Sequence, residues 1–299
     1  MRVATSLTYD RLRDRMGALS ARADQLNNQL ATNKRIQTPS DDAAGYRALS
    51  LLKRTGADAQ AELTNIDLAT SLLEASSTAL GSIEAQLVRV REISVSAGSA
   101  TLSPDQKTAL ATELDVIVED LLRIANTSDS RGGPLFSGTS VQPPYERVNG
   151  TVTYTGVGEA GAIPIGDGRS INATTSGAAI FNAIPVSAGG TQDMFAIIEG
   201  MADNLRNDVA VGDAGRDVQA ILNSVTNARA SIGARGARLE LEESRLTDLA
   251  LTREEARSAI EDTDVTATIT ELQKTLTVLQ ATQASFSKLT SLSLFDYLR

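Results

Sequence analysis

A chain of 299 residues can hold one elongated domain or two to three smaller ones, and its 41% hydrophobic content is enough for a core. Aromatics make up only 3% and Trp is absent, a composition that narrow helical seams of Leu, Ile, Val and Ala tolerate. The lack of Cys and His excludes disulfides, thiolate metal sites, a Ser-His-Asp triad and a HExxH zinc site, and a net charge of −9 argues against bulk attraction to nucleic acid or anionic lipid.

The opening residues, Met1-Arg2-Val3-Ala4-Thr5-Ser6, have no continuous apolar stretch of the kind a conventional signal peptide needs. Such a start leaves a specialised export route open. Leu12, Met16, Leu19, Ala23, Leu26 and Leu30 then recur in alternating steps of four and three, the seam of a coiled coil. Pro39 disfavours helix at Thr38, Ser40 is placed to cap a new helix, and Asp41 and Asp42 suit its first turn, so a second helix is expected near Asp41.

This second helix is long. Leu49, Leu52, Leu63 and Ile66 lead, with a phase slip near Ile66 to Ala69, into Leu73, Ser76, Leu80, Ile83, Leu87 and Val90. At about 1.5 Å per residue such a helix spans ~80 Å. Gly98 to Thr101 breaks it. Ser103 as N-cap and Pro104 at the first helical position restart a third helix carrying Leu110, Leu114, Ile117, Leu121 and Ile124.

Most of the prolines fall in residues 132–190, where glycines are dense and charges thin out. Asn149-Gly150 between β-branched residues signals a hairpin, and Thr151–Tyr154, Ala162–Ile165 and Ser170–Ala173 read as short strands. Helix returns near Asp193. Val218, Ile221, Val225, Ala228, Ile232, Leu239, Leu246 and Leu249 share one stripe, interrupted by Arg235 and Glu242. After a break at Asp262-Thr263-Asp264, a last seam runs through Val265, Ile269, Leu272, Leu276, Leu279, Gln283 and Phe286.

The expected fold is mainly α, an elongated helical bundle and coiled coil made by the N- and C-terminal segments, with a small β-rich insertion in the middle. Five segments follow: an N-terminal helix of a terminal coiled-coil domain over 1–39, a long helical hairpin of a rod domain over 40–131, the β-rich outer domain over 132–190, the C-terminal long helix of the rod over 191–262, and the C-terminal coiled-coil helix over 263–299.

Gly156-Val157-Gly158-Glu159-Ala160-Gly161 matches the dinucleotide pattern GxGxxG. Pyrophosphate binding needs a helix to begin on those glycines, yet Ile163-Pro164-Ile165 follows and no acidic residue lies at the right distance downstream. A loop between short strands is the simpler reading. The asparagines of the three N-x-Ser/Thr triplets, Asn126, Asn149 and Asn172, carry little weight without a signal peptide. Acidic residues lie mostly on solvated helix faces. The chain is read as a non-enzyme with no catalytic residues, cofactor or metal.

Thr38-Pro39-Ser40-Asp41-Asp42-Ala43-Ala44-Gly45 resembles the S-x-x-D-D-A-A-G stretch of bacterial flagellins and their junction relatives. Val90-Arg91-Glu92-Ile93 is similar to the V-R-E-L of the family's long helix, and Leu102 to Thr127 to its second hairpin helix. Leu292-Ser293-Leu294-Phe295 resembles the L-S-L-F ending of the junction branch, and Arg131 to Gly138 its G-x-Y-x-F-x-G turn, although Leu135 and the missing Tyr depart from it. The resemblance implies a structural subunit of the bacterial flagellum that joins hook to filament, with a filament-forming flagellin as the alternative. It implies unfolded export through the flagellar type III pathway to the cell exterior. The implied partners are copies of the chain in a ring, an adjacent hook-associated junction protein, flagellin and an export chaperone, with no nucleic acid and no membrane insertion. The implied assembly seams are Leu12, Met16, Leu19, Leu26 and Leu30 at the N-terminus. At the C-terminus they are Val265, Ile269, Leu272, Leu276, Leu279, Phe286, Leu294 and Phe295, where the chaperone also binds.

Overall fold

The computed structural model describes the backbone of residues 2–98 and 102–297, and the side chains within them apart from residues 2–6, 8 and 289–297. Six α-helices are described: α1 (Arg2–Thr32), α2 (Ala43–Ala97), α3 (Pro104–Ala125), α4 (Met194–Arg206), α5 (Ala214–Glu261) and α6 (Val265–Tyr297). Six short strands lie between α3 and α4: β1 (Tyr145–Val148), β2 (Thr151–Tyr154), β3 (Ile163–Gly166), β4 (Arg169–Ile171), β5 (Ile184–Pro185) and β6 (Thr191–Gln192). The mainly α fold with a β-rich middle is as the sequence implied. No described helix is long and apolar enough to cross a membrane.

The chain divides into two compact units, one of residues 1–58 with 248–299, the other of residues 59–247. The second unit is built on helix stripes. Ile66, Leu73, Leu80, Ile83, Leu87 and Val90 of α2 are all buried. They share one core with Leu114, Ile117 and Leu121 of α3, Ile198 and Met201 of α4, and Val218, Ile221 and Val225 of α5. Apolar burial at three-four spacing is what holds helices of this length together, since propensity alone leaves them marginal. α3 begins as its sequence dictates: Ser103 Oγ accepts from the Gln106 N–H, the Gln106 side chain accepts from the Ser103 N–H, and Pro104 fills the first turn.

The insertion consists of three separate antiparallel hairpins, β1–β2, β3–β4 and β5–β6. Asn149 and Gly150 both take positive φ, 52° and 88°, as a two-residue turn between twisted strands requires. Phe136, Tyr145, Phe181 and Phe195 form an aromatic cluster at the base of the insertion, with Tyr145 and Phe195 ring centroids 5.2 Å apart. Asp193 caps α4 by accepting from the Ala196 N–H at 2.8 Å.

Three expectations need correction. The single helix expected over 191–262 is two, α4 and α5, separated by residues 207–213. Asp208 at φ 57° and Gly212 at φ 53° turn the chain there, and Asn207-Asp208 with Gly212-Asp213 was the overlooked breaker signal. Ser40 does not cap α2. Asp42 does, its Oδ1 accepting from the Ala44 and Gly45 N–H groups at 3.1 and 2.9 Å, so α2 starts at Ala43. Leu249, read onto the α5 core stripe, is 38% exposed. Of the break expected at Gly98 to Thr101, residues 99–101 lie outside the described residues.

Candidate assembly surfaces

In the first unit α1 and α6 pack along their lengths. On α1 the packed stripe is the one read from sequence: Ala23 and Leu26 are buried, and Leu12, Met16, Leu19 and Leu30 are half-buried. Tyr9 extends this stripe by one step and meets Phe286 edge to face, with ring centroids 5.8 Å apart. On α6 the facing stripe is Thr268, Leu272, Thr275, Leu279, Thr282 and Phe286, in steps of four and three. Thr268 and Thr275 are buried, and the Thr275 and Thr282 hydroxyls bond back to the Glu271 and Val278 carbonyls at 2.8 and 2.7 Å.

The seam read from sequence on α6 is therefore shared between two faces. Leu272, Leu279 and Phe286 lie on or beside the α1 contact. Val265, Ile269 and Leu276 stand 45%, 41% and 40% exposed, on one face of the helix beside the stripe that meets α1. The side chains of Leu294 and Phe295 lie outside the described residues. Polar hydroxyls keep the three threonines out of an apolar stripe pattern, and their heptad spacing in register with Leu272 and Leu279 is the sequence signal that marks them.

The two chain breaks are bonded to each other. The Arg35 N–H donates to the Glu261 carbonyl at 2.6 Å and the Thr263 N–H to the Asn33 carbonyl at 3.2 Å, pairing Lys34 with Asp262 in an antiparallel bridge. Asn33 takes φ 55°, which Asn tolerates better than most residues. Lys34 Nζ pairs with Glu261 at 2.6 Å, Arg257 pairs with the same carboxylate, and Arg35 reaches Asp42 at 3.5 Å. Asp41 folds back to accept from the Gln37 and Thr38 N–H groups at 3.0 and 2.8 Å.

These bonds set the local acidity. The Thr38 and then the Gln37 N–H groups hold the Asp41 carboxyl below the usual carboxylate range, and the Gly45 N–H does the same for Asp42. Burial pushes Glu261 up, but Lys34 and Arg257 outweigh it and its pKa is also lowered. Gly45 itself is a matter of space. A Cβ there would lie 2.4 Å from Ile36 Cδ1 and 2.8 Å from Asp42 Oδ2.

In the second unit the two polar residues on the α5 stripe anchor the insertion. Arg235 donates to the Asn172 carbonyl at 2.6 Å and to Thr175 Oγ1 at 2.9 Å, and burial pushes its pKa down. Glu242, almost fully buried, accepts from Arg169 and, at 3.0 Å, from Arg245 Nε. The glycine-rich loop at 156–161 leads into β3, so no helix N-terminus meets it. Its glycine at 156 serves packing: a Cβ would lie 2.2 Å from the Tyr154 hydroxyl and 2.8 Å from the Ser137 carbonyl. No cluster of acidic side chains suited to a metal occurs among the described residues.

Comparison with known proteins places this geometry. The model of the bacterial flagellin N-terminal helical region matches residues 3–141, and that of the C-terminal helical region matches residues 216–298. The flagellar hook-associated protein 3 of Escherichia coli K12 is 27% identical over 99% of both chains. The flagellin of Listeria monocytogenes is 26% identical over 84% of this chain and 82% of its own. Among solved structures, a putative flagellar hook-associated protein from Vibrio parahaemolyticus shares the fold, with a TM-score of 0.68 at 18% identity over 74% of this chain and all of that one. The first matched region runs from α1 through α3 and the second takes in α5 and α6, so the helices that pair here, α1 and α6, lie at their outer ends, and the chain belongs to the bacterial flagellin family.

Proposed function

We propose that this chain is a structural subunit of the flagellum that joins hook to filament. The observation that carries the assembly reading is α6. One of its faces is taken by α1, while Val265, Ile269 and Leu276 stand uncovered in a single copy. Fully burying a large aliphatic side chain is worth roughly 1.5–3 kcal/mol, and side chains 40–45% exposed have somewhat less than half of that still to gain. A row of them on a helix already paired on another face fits an element completed by neighbouring copies in a ring. Hook-associated relatives align at 27% and 26% identity over 99% of both chains, against 26% over 84% of this chain and 25% over 96% for two flagellins, which favours the junction over the filament.

In this reading the subunit carries out no catalysis. It is secreted through the flagellar export route, with α6 held by a chaperone beforehand, and it contacts a second junction protein on one side and flagellin on the other. The segments 1–39 and 263–299 act as the assembling domain, 40–131 and 191–262 as the rod, and 132–190 as the outer domain. Flagellins also align with this chain and keep a filament-forming role as the second reading. Deletion of the gene, scored by electron microscopy and by blotting the medium, separates the two. The junction role predicts bare hooks with filament protein shed into the medium. A missing filament with no shed monomer would identify the chain as the flagellin itself.

A further inference from the structure

A groove of about 840 Å³ lies within the first unit, between the first turns of α2, the last turns of α5 and the segment around Ile36. Its apolar side is Tyr46, Leu49 and Leu52. Two of its cations are spent internally, Lys34 on Glu261 and Arg257 on Glu254 and Glu261. The other two, Lys53 and Arg253, form no ion pair among the described residues.

The same unit carries a surface of the opposite character. Leu251 of α5 is 63% exposed, with Asp248 three residues before it and Glu255 four residues after it, all on one helix face. Neither carboxylate forms an ion pair among the described residues, and both are exposed. At 3.6 residues per turn this face points away from the groove-lining face of α5 that carries Arg253 and Arg257.

A leucine flanked by two carboxylates and a groove whose apolar side is flanked by two cations, none of the four ion-paired among the described residues, are complementary in polarity and charge. Because they sit on different sides of one unit, they cannot satisfy each other within a copy. We infer that Leu251 of one copy enters the Tyr46–Leu49–Leu52 groove of the next, with Asp248 and Glu255 meeting Lys53 and Arg253. The contact is heterologous, knob to groove, and such contacts repeat from copy to copy into rings or helices. The inference rests on the reading of the chain as a self-assembling subunit, and assigns it a lateral contact outside the α1–α6 seam.

The chain has no cysteine, so an engineered pair reports only its own proximity. Flagella would be isolated from cells whose only copy carries Lys53→Cys with Asp248→Cys, then oxidised and run under denaturing, non-reducing conditions. A second variant, Tyr46→Cys with Leu251→Cys, probes the apolar side of the groove, and Asp24→Cys with Asp248→Cys is the control. The inference predicts a ladder of linked dimers and higher multiples at least about tenfold above the control in both test variants, which reduction collapses. Incorporated subunit with no more ladder than the control, or with only a linked monomer, would overturn the knob-and-groove contact and leave the assembly reading standing. Absence of the wild-type chain from flagella would overturn both.

Discussion

The helix stripes of the two units are built from the same spacing and do different work. In the second unit α2 presents Ile66, Leu80, Ile83, Leu87 and Val90 to its partners, and each is completely buried within the chain. In the first unit α6 presents Thr268, Leu272, Thr275, Leu279, Thr282 and Phe286 to α1, half of them threonines, and keeps Val265, Ile269 and Leu276 outside the contact. The first stripe spends all its apolar area inside the chain. The second buries part of it inside and leaves the rest exposed in the single chain. Three-four spacing alone tells where a helix can pack; residue type and accessibility tell how much of that packing is intramolecular.

The largest effect that would sharpen this contrast is in the core. Leu87→Ala removes a fully buried side chain of the core that α2 shares with α3, α4 and α5, and should destabilise the second unit by about 2–5 kcal/mol in denaturant unfolding. A loss below about 1 kcal/mol would mean that the stripe is not the packed core described. A smaller effect of opposite sign is expected at the terminal seam. Thr275→Val keeps the shape of a buried seam residue and replaces a hydroxyl that bonds only to its own helix, so α1–α6 pairing in the free subunit should gain about 1 kcal/mol. Hydrogen exchange of α6 amides measures it; unchanged protection would mean that the pair is not formed before assembly.

The paired breaks should add a pH dependence that the apolar core lacks. Asp41, Asp42 and Glu261 have folded-state pKa values below their unfolded values near 4, so their stabilisation is present above about pH 4 and is lost as pH falls through the lowered values. Amides of residues 33–45 should keep their protection relative to the core from pH 7 to about 5 and lose it below about 4. Protection that fell equally in both units would make acid lability general rather than local to the breaks.

Much of this was legible in the sequence. The α1 seam, the capped start of α3, the Asn149-Gly150 hairpin and the β-rich insertion all follow from local rules of spacing, capping and turn chemistry. Other features depend on which of several local or tertiary partners a residue finds. Asp42 rather than Ser40 caps α2 because Asp41 turns back onto Gln37 and Thr38, which shifts the helix start. Arg235 and Glu242 looked like defects in the α5 stripe, and their role appears only when the insertion lies against them. On α6, apolar spacing joins Val265, Ile269 and Leu276 to Leu272, Leu279 and Phe286 in one seam, whereas α1 selects the stripe that carries the latter three together with Thr268, Thr275 and Thr282. That difference comes from which stripe a partner helix occupies, which spacing on one helix does not encode.

The central claim is that the outer face of α6 serves neighbours and contributes little to the fold of its own chain. Leu276→Asp, on that face, tests it most directly when incorporation into flagella and the melting temperature of the purified subunit are measured together. The expected result is a subunit absent from flagella with its melting temperature unchanged. Normal incorporation, or a large fall in melting temperature, would contradict it.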